Sequence, residues 1–144
     1  MKRTLLILFL MAIPCAAVLA NDTGGIVVIV NSKSGVEKLS KDEVIDIFLG
    51  RYRKLPGGRA AMPIDVGEAS PERARFYQLL VKKSQTEMSS YWARLVFSGQ
   101  TSPPFQVPDA KTALELVGSS PNAIAYVDRA SVTANVKVVF ELKP

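Results

Sequence analysis

The sequence predicts an α/β protein, a three-layer sandwich on a mixed sheet, and three observations point there. Apolar β-branched runs alternate with segments of helical period, most helix starts carry their own capping residues, and the turns between them hold Gly, Pro, Asn and Ser. With 144 residues, 48% of them hydrophobic, the chain can bury the core of one domain.

The elements follow in order. Gly25-Ile-Val-Val-Ile-Val30 is too continuously apolar for a half-exposed strand and reads as a buried central one. Ser40-Lys-Asp-Glu43 is a capping box; the helix after it has Val44, Ile45, Ile47, Phe48 and Leu49 as its apolar side and Gly50 at the left-handed C-terminal position. Pro56-Gly-Gly58 turns the chain into the strand Ala61–Val66, which Pro63 assigns to an edge or an end. Ser70 then caps a helix with Pro71 at its first position, running to Val81 with Ala74, Phe76, Tyr77, Leu80 and Val81 buried. A second capping box, Ser84-Gln-Thr-Glu87, opens a helix whose core stripe is Met88, Tyr91, Trp92, Leu95 and Val96. Gly99 ends it and the proline-rich stretch 100–108 reads as a loop. Asp109 caps a short helix to Gly118, and two strands, 123–127 and 136–142, complete the order.

Composition narrows the chemistry. The chain has no histidine and one cysteine, Cys15, so no Ser-His-Asp triad, no Cys-His pair and no zinc site of the usual kind is expected. No catalytic residue, metal or cofactor is expected either; Asp65 and Glu68, beside the Ser70 helix start, are the one suggestive acidic pair, and acids are common there because they suit the helix dipole. Lys2-Arg3, the apolar run Leu5–Ala20 broken by Pro14, and Val18-Leu-Ala20 read as a secretory signal peptide cleaved after Ala20. The run is short of the roughly 20 residues of a membrane span. Residues 21–144 are thus expected to be one periplasmic domain, without a membrane span or a nucleic-acid face, held together by packing rather than disulfides.

Three stretches carry a resemblance: Leu39-Ser-Lys-Asp-Glu-Val-Ile-Asp-Ile-Phe-Leu-Gly50, the helix start at Ser70 after a strand, and Asn122-Ala-Ile-Ala-Tyr-Val127. In this order the sequence resembles one lobe of a phosphate-type periplasmic solute-binding protein, of the type 2 periplasmic-binding superfamily, over roughly 25–127. The resemblance implies a substrate-binding relative of ABC phosphate transporters, with a small oxyanion held at the Ser70 helix start. A full member closes two lobes over its ligand; this chain has room for one.

The resemblance carries Ser70 over as an anion contact. Other positions depart from the pattern: Pro71 replaces a donating glycine amide, Glu72 a threonine, and Val66 falls about where an arginine is usual. The expected ligand-binding set is Asn31 and Ser32 at the end of the first strand with Gly67, Ser70 and Arg73 at the second junction. Arg75, or Arg51 and Arg53, are further candidates for the missing cation. Each also has a plain structural reading: a polar turn, an N-cap, a solvated surface charge. Two functions follow. One is binding of a small anion such as phosphate; the other is an envelope scaffold that keeps the lobe fold and meets another protein or a second copy of itself.

Overall fold

A computed structural model describes residues 24–144. The expected signal peptide lies outside the described residues. The elements are β1 (Ile26–Asn31), α1 (Lys41–Phe48), β2 (Met62–Val66), α2 (Pro71–Val81), α3 (Gln85–Phe97), β3 (Phe105–Val107), α4 (Ala110–Ser119), β4 (Ala123–Asp128) and β5 (Val136–Leu142), with a 3-10 turn at Arg129–Ser131.

The five strands form one mixed sheet in the order β3-β2-β4-β1-β5. β2 runs parallel to β3 and β4, while β1 runs antiparallel to β4 and β5. Every residue of β1, and Ala123 to Val127 of β4, is buried. A strand buried on both sides of its pleat needs a layer over each face of the sheet, as the unbroken apolar runs predicted. Leu39 N–H donates to Val139 O at 2.9 Å, so part of the outer edge of β5 is occupied by the chain before α1.

The capping boxes at Ser40 and Ser84 form as expected, with Glu43 and Glu87 each accepting from the N-cap amide. Gly50 has φ +72° just beyond α1, where a Cβ would be strained. At the end of α2 the same left-handed position is held by Lys82, at φ 58°.

Two expectations change and one is resolved. Of the edge and the end that Pro63 left open for β2, the structure takes the end: β2 is internal, and Pro63 stands near its start, before the pairing with β3, which begins at Ile64. The stretch expected to be a loop contains β3, held by Val107, which is buried, while Phe105 and Gln106 are exposed. In α3 Met88 and Trp92 are buried and Tyr91 and Leu95 are partly buried against the core, while Val96, at the end of the expected stripe, is 53% exposed.

The α2 side of the core is aromatic. The Phe76 ring stacks on Tyr126 at 3.8 Å and meets Phe48 edge-on at 4.8 Å. Phe76→Ala is therefore expected to cost about 3–5 kcal/mol, whereas Phe97→Ala, at a side chain 96% exposed, should stay within about 0.5 kcal/mol. Urea unfolding monitored by circular dichroism measures both.

Candidate functional site

β2 delivers the chain to Gly67, and a turn follows in which Ser70 N–H donates to Gly67 O at 2.8 Å. α2 starts there, at the carboxyl end of two parallel strands, where ligands gather in α/β sheets. Whether it can hold an anion depends on which of its N–H groups are free.

Few are. Ser70 N–H is used by the turn, Pro71 has none, and Arg73 N–H donates to Ser70 Oγ at 3.4 Å. Among the described residues this leaves the Glu72 amide. The Ser70 hydroxyl donates to the Glu72 carboxylate, so the chain's own acid sits on the group carried over as the anion contact. Gln85, from the start of α3, closes over the turn. Its amide nitrogen donates to the carbonyls of Glu68 and Ser70, and its oxygen accepts from Arg73.

Arg73 does not face outward. It is 1% exposed and its Nε donates to Asp65 Oδ2 at 3.0 Å. Asp65, also 1% exposed, further accepts from the Tyr77 hydroxyl at 3.0 Å and from the Tyr126 hydroxyl on its other oxygen. Burial pushes the Asp65 carboxyl above its ordinary range, against the pull of the Arg73 charge and these hydrogen bonds. Burial lowers the Arg73 guanidinium, but the adjacent Asp65 outweighs it and the net direction is up. Both phenols are pushed well above their usual value, first by burial and then by the Asp65 charge, and so remain donors.

The structure brings Gly67, Ser70 and Arg73 together and leaves Asn31 and Ser32 apart. β1 opposes β4, so Asn31 lies beyond the Val30–Ile124 pair, at the level where β2 begins. That is roughly 15 Å from Gly67 at the rise of an extended strand. Asn31 donates to Val117 O and Gly118 O at 2.8 and 2.9 Å and caps the end of α4, while Ser32 is exposed with its N–H bound to Asn135 O. Arg75 pairs with Asp128 at 2.8 Å, and Arg53 bonds to Ser102 and to Ile47 O. Glu68 is exposed and Asp65 is buried against Arg73, so these two acids do not share a cleft. Sequence reasoning missed Asp65 and Gln85 as partners of Arg73, and Tyr77 and Tyr126 as partners of Asp65. One signal was present: an Asp between Ile64 and Val66 of a buried strand requires a cation, and Arg73 and Tyr77 are four apart on one helix face.

No family model matches the chain, and no curated protein matches it. Solved structures do. An ABC-type phosphate transport receptor from Vibrio cholerae superposes with a TM-score of 0.66 at 19% identity, over 80% of this chain and 45% of that one. A phosphate ABC transporter substrate-binding protein with bound phosphate from Clostridium perfringens gives 0.61 at 19%, over 80% and 44%. PstS from Borrelia burgdorferi gives 0.60 at 13%, over 80% and 46%. The chain thus has the fold of one lobe of phosphate-type substrate-binding proteins and spans less than half the length of these structures. At such identity the likeness establishes architecture, not ligand.

Asp65→Ala would leave Arg73 buried without its counter-charge and is expected to cost about 3–5 kcal/mol. The tyrosines set an alkaline limit. Their folded pKa values lie above the unfolded value of about 10, so the unfolded chain loses protons first and stability falls as pH rises past about 10. Tyr126→Phe should lose stability at neutral pH and show a shallower alkaline decline, read from urea midpoints between pH 7 and 11.

Proposed function

We propose that this chain is an exported, non-enzymatic interaction module that keeps a phosphate-type lobe as a scaffold and recognises another envelope protein, or a second copy of itself. The observation that carries this reading is the Ser70–Glu72 contact, with the anion cradle filled by the chain's own carboxylate. Pro71 removes one donor and Asp65 neutralises the nearby arginine, so a free phosphate would meet one open amide and a like charge. Two unit charges 4 Å apart repel by several kcal/mol at an effective dielectric near 20. Export to the periplasm rests on the signal-like segment 1–20, and the non-enzymatic reading on the lack of histidine together with the internal pairing of Asp65.

A second reading is direct binding of a small oxyanion such as phosphate at Gly67, Ser70 and Arg73, with Asn31 and Ser32 reached only from a different end of the sheet. The likeness to phosphate receptors favours it. Isothermal titration separates the two. The interaction-module reading expects no heat from phosphate or sulfate up to millimolar ligand, and weak phosphate binding, with Kd on the order of 1 mM, once Glu72→Thr frees the Ser70 hydroxyl. Micromolar phosphate binding by the unaltered chain would overturn it in favour of the oxyanion reading.

A further inference from the structure

The opposite end of α2 differs in character from the Ser70 end, about 16 Å away along the helix at 1.5 Å per residue. There Lys41, Arg51 and Lys83 rim a concavity of about 480 Å³. Its apolar lining is the partly exposed Ile45, Val81 and Tyr91 beside the buried Leu49 and Leu80. A smaller hollow of about 240 Å³ shares Lys83 and Tyr91 and extends the groove to Arg94. Tyr91 is fixed: its hydroxyl donates to Leu49 O at 2.7 Å, and the Arg94 guanidinium lies 5.9 Å from the ring centre.

The cations here make no ion pair among the described residues. Among the described residues Arg73, Arg75, Arg129 and Lys137 each have a carboxylate within ion-pair distance, and Lys41, Arg51, Lys83 and Arg94 have none. Two acids, Asp42 and Glu87, line the same hollows, and Glu87 is held by the Ser84 amide in its capping box. The groove therefore combines a net positive lining with the partly exposed apolar side chains of Ile45, Val81 and Tyr91.

We propose that this groove docks an acidic peptide segment of a partner protein, one that lays an apolar side chain between carboxylates. Charge complementarity selects the acid: four cations without ion-pair partners would gain hydrogen-bonded counter-ions. Shape favours a peptide over a membrane, because a concavity of this size admits individual side chains, which a flat bilayer surface does not supply. The volume falls in the range that holds a few side chains. This inference rests on the interaction-module reading and names its partner's chemistry. The groove lies far from Ser70, so a phosphate titration and a peptide titration fail independently.

The test is a titration of the 15N-labelled protein with an N-acetylated, C-amidated peptide of three Glu-Leu repeats. Amide shifts should concentrate at Leu49, Arg51, Lys83 and Tyr91. The Arg51→Glu, Lys83→Glu double variant should weaken binding by roughly tenfold or more, while Lys111→Glu on α4 should change it by less than about twofold. Added salt should weaken binding as well. The proposal is overturned if no shifts appear in the groove, if a Gln-Leu peptide binds equally well, or if Lys111→Glu is as damaging as the double variant. It is also overturned if phosphatidylglycerol vesicles bind through Arg51 and Lys83 while the peptide does not, which would make the face a membrane contact.

Discussion

The start of α2 is organised by one buried ion pair, Asp65 with Arg73. A carboxylate in an internal strand has lost its water, and the Coulomb attraction of a single cation seldom repays that loss. Here a guanidinium donates to it and two phenols add hydrogen bonds. The requirement spreads outward. Arg73 must point into the protein, Tyr77 must follow one turn later, Tyr126 must face them from β4, and Gln85 must bring α3 over the turn to meet the outer side of the guanidinium.

That arrangement bears directly on recognition. A helix start becomes an anion site when its free amides and a nearby arginine face the same opening. Here the arginine faces the core, the first amide is missing at Pro71, and the serine hydroxyl is already bound to Glu72. The chain has the architecture of a phosphate-type lobe, while Ser70 and Arg73, the expected anion contacts, are turned to internal bonds. The fold alone does not carry its usual ligand with it.

The two ends of α2 thus behave differently. Near Ser70, Arg73 is paired with Asp65 and Glu72 is bound to the Ser70 hydroxyl. At Lys83 the cations have no ion-pair partner among the described residues, and the surface between α1, α2 and α3 is concave. The aromatic stack of Phe48, Phe76 and Tyr126 lies in the core against α1 and α2 and holds these helices to the sheet. The groove therefore rests on rigid elements.

Local chemistry made most of the fold legible. Ser40 with Glu43 and Ser84 with Glu87 announce their helices because capping is a contact between residues three apart. The β-branched run of β1 announces burial on both faces. β3 was not legible, since three residues among prolines, two of them exposed, carry no periodic signal, and the strand exists only because β2 lies alongside. Pro63 left an edge and an end both open for a related reason: which strands flank it, and from which residue, is a property of the assembled sheet. At the site the sequence placed Gly67, Ser70 and Arg73 at one junction but grouped Asn31 with them. Strand direction separates them, because β1 runs against β4 while β2 runs with it. The sequence by itself determined the capped helices, the buried strands and a serine at a helix start. Only the tertiary structure decided where Arg73 points and what Ser70 binds, because a buried charge takes its partner from whatever strand and helix the packing brings within hydrogen-bond reach.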